Sequence, residues 1–285
     1  MTVAAVDRCL SLIEALAGEA DPLELSDLAA RVGLPNSAAH RTLSTLVERG
    51  WVVQDPASQN YALSLRLCSL AFRNLDARAV PDVVQHVLDR LARRTREYCR
   101  LAIVEREDLV WVARAQGAPA GLRYDPDMGQ EIVLHATANG KAWLSCLPEN
   151  DALRIVCARG FETRRPLGPR SLSTVDALRQ HLTETRKRGY ATAVEEAEPG
   201  TAALAVPFRT GEAPGAPVAG TISVAGPTLR ITPDRYAELA NALSDAAREA
   251  AAIWPLRSRQ RGAPIGSAPG AADTDAALEE NGHGA

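Results

Sequence analysis

The sequence predicts an α+β protein in two parts: a small helical domain closed by a β-hairpin, then a larger mixed domain. Three observations carry this. Over residues 1–63, three short apolar-periodic runs are punctuated by Gly18, Gly33 and Gly50 and followed by two β-prone runs. From about residue 64 to 254, helical and strand-like runs alternate, and 285 residues with 46% hydrophobic side chains suffice for two cores. From Pro255 onward the composition collapses to Gly, Ala, Pro, Ser and charge (RSRQRGAPIGSAPGAADTDAALEENGHGA), which predicts a disordered tail over 255–285.

The first helix is expected through VDRCLSLIEALAG, with Val6, Leu10, Ile13 and Leu16 or Ala17 on one stripe. A second begins near Leu25-Ser26, with Ser26 as N-cap, and stops at Gly33. Leu34-Pro35 makes a tight turn, because a residue before proline avoids the helical region. Asn36 or Ser37 then caps a third helix, SAAHRTLSTLVERG, with Ala39, Leu43, Leu46 and Val47 pointing inward. WVVQDPASQNYALS reads as a hairpin around Asp55-Pro56-Ala57-Ser58.

Helix, helix, turn, helix and hairpin is the order of a winged helix-turn-helix, whose third helix enters the DNA major groove. The candidate DNA-binding residues are Ser37, Ala38, His40, Arg41, Ser44 and Thr45 on that helix, with Asn60 and Tyr61 on the wing. Arginine can donate twice to guanine, and hydroxyls and a helix N-terminus suit phosphates. Charge pulls the other way: residues 1–66 hold five arginines against eight acids. Within 36–46, however, Arg41 is the only charged side chain. An ordinary small helical domain with a polar face remains the alternative.

LSDLAARVGLPNSAAHRTLSTLVERGWVVQD resembles the DNA-binding half of the isocitrate lyase regulator (IclR) family of bacterial transcription factors. LHATANGKAWLS, RGYATAVEE, GTAALAVPF and GTISVAGP are similar to four further blocks of that family, in the same order, so the resemblance spans about residues 4–254. It implies a winged helix over 1–63, a linker helix over 64–80 and a GAF-like effector domain over 81–254, with an antiparallel sheet flanked by helices. The residue pattern agrees for the linker, where Leu67, Leu70 or Ala71, and Leu75 recur at helical spacing. It also offers a helix from Pro81 through VVQHVLDRLARRTREYC, and strands LAIVE and DLVWVARA around Arg106-Glu107-Asp108. Helices follow near 135–146, 149–158 and 174–189; LAVPF and PVAGTISVAG are strands, and RYAELANALSDAAREAAAIW is a closing amphipathic helix.

The resemblance further implies double-stranded operator DNA and a small-molecule effector as partners, a homodimer or homotetramer, and no cofactor. It places the effector contacts at Leu122, Ala138, Asn139, Ala193, Thr201, Ala203, Ser223 and Ala225. Three of these depart from the family pattern: Ala193 replaces an acid, Ala203 a frequent cysteine and Ala225 a serine, while Val133 stands where proline is usual. Fewer polar groups imply a larger, more apolar pocket and an organic acid less polar than a short keto acid. A metabolite-sensing GAF-like protein working through protein partners, with a vestigial DNA-binding domain, is the alternative reading.

Other classes find less support. A net charge of −3 excludes a global polycation, so nucleic-acid binding must be local. Five scattered cysteines (Cys9, Cys68, Cys99, Cys146, Cys157) form no CxxC pair, which points to a reducing, cytoplasmic setting. No basic leader with an apolar run, and no run of 18 apolar residues, predicts secretion or a membrane span. His40, His86, His135, His181 and His283 show no metal-ligand spacing, and His135 reads as a packing or capping residue. Glu195, Glu196 and Glu198 read as a solvated loop. With no GxSxG, P-loop or GxGxxG, neither catalytic nor metal-binding residues are expected.

Overall fold

The computed structural model describes residues 3–78, 80–126, 129–163, 165–211 and 215–261. The chain divides into two units, Met1–Ala79 and Val80–Ala285.

In the first unit, α1 (Ala4–Ala17), α2 (Leu25–Arg31) and α3 (Asn36–Glu48) precede the hairpin strands β1 (Val52–Gln54) and β2 (Tyr61–Leu63), and α4 (Arg66–Arg78) follows. Leu12, Leu16, Leu28, Leu43, Leu46, Val52 and Tyr61 form its core. Gly33, at φ 65°, takes the left-handed conformation that turns α2 towards α3. The strands pair antiparallel, Val52 opposite Leu63 and Gln54 opposite Tyr61. In the turn, Asp55 Oδ1 accepts hydrogen bonds from the backbone amide (2.7 Å) and hydroxyl (2.9 Å) of Ser58 and from the Ala57 amide (3.0 Å), which hold its pKa below the usual carboxylate value.

Two expectations for this unit need correction. The buried stripe of α1 runs through Leu12 and Leu16, whereas Val6 and Leu10 are 55% and 53% exposed. Apolar residues recur on both sides of this helix, so spacing alone did not select its inner face. Nor do Ser26, Asn36 or Ser37 cap helices: the N-cap positions are Glu24 and Pro35, without side-chain cap bonds.

The second unit is a five-stranded, wholly antiparallel sheet in the order β4-β3-β7-β6-β5, with helices on both faces. Its strands are β3 (Tyr98–Glu105), β4 (Asp108–Gln116), β5 (Ala191–Val194), β6 (Thr201–Arg209) and β7 (Val218–Pro227). One face is covered by α5 (Val80–Thr95) and α9 (Tyr236–Arg261), whose Leu88, Leu91, Leu239 and Leu243 meet Leu101, Leu204, Ile222 and Val224. Burying one such leucine is worth about 1.5–3 kcal/mol. The other face carries α6 (Ala138–Leu144), α7 (Glu149–Arg159) and α8 (Val175–Arg188), packed largely through Leu134, Trp143, Ile155, Leu178 and Leu182. A β-hairpin partner overrides helical periodicity at Tyr98 and Cys99: α5 ends at Thr95, Arg96 has φ 59°, and β3 begins two residues on. At the far end α9 continues past Trp254 to Arg261; the rest of the tail expected to be disordered lies outside the described residues.

Candidate functional site

The third helix of the first unit presents Ser37, His40, Arg41, Ser44 and Thr45 on its exposed side, with Ala38 half-buried and Ala39, Leu43 and Leu46 turned into the core. Ser44 Oγ donates to His40 O (2.8 Å) and Thr45 Oγ1 to Arg41 O (3.1 Å), so both hydroxyls bond back to their own helix and keep their lone pairs outward. Arg41 is the one charged side chain of this face. The wing differs from expectation. Tyr61 is 3% exposed, packs in the core and accepts a bond from Gln54 Nε2 (3.0 Å), so it is not an exposed contact. Strand alternation turns its ring inward, into the cluster that holds Leu12 and Val52. Asn60 is half-buried, its Nδ2 3.5 Å from Pro22 O. Arg66 stands at the base of the wing, donating to Arg49 O (3.0 Å) over the Trp51 ring.

In the second unit the HATANGK segment is built by a few contacts. Thr137 is the N-cap of α6, its Oγ1 accepting from Gly140 N (3.1 Å) and donating to Val133 O (2.9 Å). Gly140 must be glycine: a Cβ there would lie 2.3 Å from the Leu134 carbonyl oxygen. Asn139 Nδ2 donates to Thr221 Oγ1 on β7 (2.9 Å), tying α6 to the sheet. Lys141 is fully buried and ion-paired with Glu196, while His181 Nδ1 lies 3.4 Å from its Nζ. Glu196 is therefore no solvated loop residue; it is 4% exposed, and burial of Lys141 required a carboxylate beside it. Burial pulls the Lys141 pKa down to about 8, with Glu196 opposing. His135 stacks edge-on against Phe161 (4.9 Å), and burial holds its pKa below the ordinary imidazole value.

Between α6 and the sheet lies a chamber of about 30 Å³, opening beside a cleft of about 680 Å³. Ala138, Asn139, Ala193, Thr201, Ala203, Ser223 and Ala225 all line the chamber, so seven of the eight expected effector positions come together. Leu122 does not join them. It is 63% exposed, and its backbone carbonyl accepts from Arg230 Nη1 (2.8 Å), which pins the loop with the side chain outward. The chamber is also not enlarged by the alanines. Ala138, Ala142, Ala191, Ala193 and Ala205 pack on one another, so small side chains let α6 settle close to the sheet.

Residues that motif matching missed supply the charge and the rings. Arg100, on β3 opposite Ser223, lines both spaces with Trp111 and Tyr124. Its guanidinium lies 3.8 Å above the Trp111 ring and 5.5 Å from that of Tyr98. The available signal was the CRLAIVE strand itself, where alternation places an arginine on the same face as Tyr98 and Ala102. Among the described residues no group of three His, Cys, Asp or Glu side chains could hold a metal ion.

The sequence model for the bacterial transcriptional regulator IclR C-terminal domain matches residues 72–252, and that for the IclR helix-turn-helix domain matches residues 5–56. The chain belongs to the IclR family. The HTH-type transcriptional regulator KdgR of Escherichia coli (strain K12) is 30% identical over 254 residues, covering 88% of this chain and 92% of KdgR. A crystal structure of an ICLR transcriptional regulator from Silicibacter sp. TM1040 superposes with a TM-score of 0.71 at 26% identity, covering 91% of this chain and 97% of that one. An IclR homologue from Microbacterium hydrocarbonoxydans, solved in complex with 4-hydroxybenzoate, shares the fold at 22% identity (TM-score 0.67; 91% and 100% covered). The helix-turn-helix and the antiparallel effector domain of this IclR-family chain are thus those of a DNA-binding transcription regulator. No helix among the described residues is long and apolar enough to cross a membrane.

Proposed function

We propose that this chain is a cytoplasmic, homodimeric or homotetrameric regulator, without catalytic activity of its own, that binds a pseudo-palindromic operator through the Arg41 face of α3. A small organic acid held between α6 and the sheet would shift the dimer between geometries with different half-site spacing, a change of population rather than chemistry. The observation that carries this reading is one chain holding both an exposed recognition face and a ligand-sized cavity walled by a buried cation. The exposed Val6 and Leu10 on α1 support self-association, being an apolar stripe that its own unit leaves uncovered.

The effector is an acid larger and less polar than a two- or three-carbon keto acid. Ala193, Ala203 and Ala225 remove hydrogen-bonding groups from the inner wall, and the adjoining cleft has room for a larger body. The Microbacterium homologue's complex with 4-hydroxybenzoate points the same way. Gel shifts on the DNA upstream of its own gene, with competitor DNA present, test the reading. Specific retardation that a larger organic acid alters supports it. Absence of specific retardation overturns it in favour of a sensor acting through protein partners.

A further inference from the structure

Every other buried charge named in the second unit has an opposite charge beside it. Lys141 faces Glu196, and the 1%-exposed Glu97 receives two bonds of 2.8 Å from Arg230. Arg100 does not. It is 8% exposed, its Nε has no hydrogen-bond partner, and among the described residues no carboxylate lies within 4.0 Å of its guanidinium. An arginine cannot shed its proton to escape that cost, so the site holds a full positive charge in a poorly solvated place. Burial lowers its pKa, while the phenols of Tyr124 and Tyr98 and the carboxylate of Glu198 act in the opposite sense.

We infer that Arg100 is the anion anchor of the effector cavity and selects a monocarboxylate with a planar, apolar body. The inference rests on the reading of this cavity as the effector site. Trp111 covers one face of the guanidinium and the Tyr124 hydroxyl takes one of its hydrogen bonds, which leaves the unpartnered Nε–H side of the fork for a carboxylate. Arg100 lines both spaces, so a carboxylate bound there sits at their junction. At about 30 Å³ the chamber admits the carboxylate end and little more, so the body lies in the cleft of about 680 Å³, beside Trp111 and Tyr124. Burial raises the Tyr124 phenol to about 12, so its hydroxyl stays protonated and adds no negative charge next to the anion. Glu198, on the cleft wall, is the internal anion a ligand must compete with electrostatically.

Calorimetric titration of the full chain with benzoate, 4-hydroxybenzoate and the neutral isostere benzamide tests this. Benzoate or 4-hydroxybenzoate is expected to bind about 10- to 100-fold more tightly than benzamide, the range for one charge-assisted hydrogen-bonded contact. Arg100→Gln should erase the difference between acid and amide, and Glu198→Gln should tighten the acid. Arg100→Met without ligand should melt no lower than the parent chain, since it removes a charge that lacks an ion-pair partner. Equal binding of benzamide and benzoate, full acid affinity in Arg100→Gln, or no binding of either acid overturns the anchor. Gel shifts on the same samples separate the two readings: operator binding without any acid response removes the anchor alone, whereas loss of operator binding by the parent chain removes the regulator.

Discussion

Lys141 and Glu196, 55 residues apart in sequence, form an ion pair whose side chains are 0% and 5% exposed. It joins the first helix after the HAT segment to the turn beyond β5, and so holds two walls of the cavity region together. Removing one partner strands the other charge in the interior. Lys141→Met should therefore cost about 3–5 kcal/mol, and pairing it with Glu196→Leu should recover most of that. Urea unfolding of the two variants checks this; a double variant no more stable than the single one would contradict it.

Stability should fall on mild acidification. Burial, and then the Lys141 ammonium, hold His135 and His181 below the ordinary imidazole value. The unfolded chain takes up these protons as pH falls through about 6.5, while the folded chain resists until lower pH. Their contribution is thus full above about pH 6.5 and is lost as pH drops through the folded-state values. Asp55, Glu107 and Asp245, whose pKa values are lowered by hydrogen bonds, lose theirs only in the carboxylate range. Urea midpoints at pH 7.5 and 5.0 should differ, and His181→Gln should shrink the difference. A flat profile in both proteins would count against the assignment.

Arg41→Ala should weaken specific operator binding by about 1–3 kcal/mol and leave the melting temperature unchanged, since the side chain is exposed. Tyr61→Phe should do the reverse. Losing the bond from Gln54 costs about 0.5–1.5 kcal/mol of stability, with operator affinity at fixed salt unaltered. Fluorescence anisotropy on labelled operator, beside thermal melts, reads both.

Gly140→Ala should destabilise the second unit by about 1–3 kcal/mol or more, because the new methyl meets the Leu134 backbone rather than a movable side chain. Thermal melts measure the loss. A neutral outcome would mean that α6 can lift from the 134–137 segment at little cost.

Local rules made much of the molecule legible. Gly33, Gly50 and the Leu34-Pro35 turn punctuate the helices of the first unit, and Thr137, Gly140 and Lys141 belong to a segment that carries the family resemblance in its order of residues. Positions matched through that order, from Ala138 to Ala225, converge on one chamber because β6 and β7 pair in fixed register, with Ala203 opposite Ala225 and Ala205 opposite Ser223. What surrounds those positions was decided in three dimensions. Whether Tyr61 faces solvent or core, whether Glu196 is hydrated or buried against Lys141, and whether Leu122 points inward depend on neighbours far away in sequence. The same holds for Arg100. Alternation put it on a face of β3, but only the assembled interior leaves that charge without an ion pair: among the described residues no carboxylate comes within 4.0 Å of its guanidinium, and Glu198 acts on it only from the cleft wall. Pairing of buried charges is a property of the assembled interior, where desolvation makes each partner count, and no spacing along the chain encodes it.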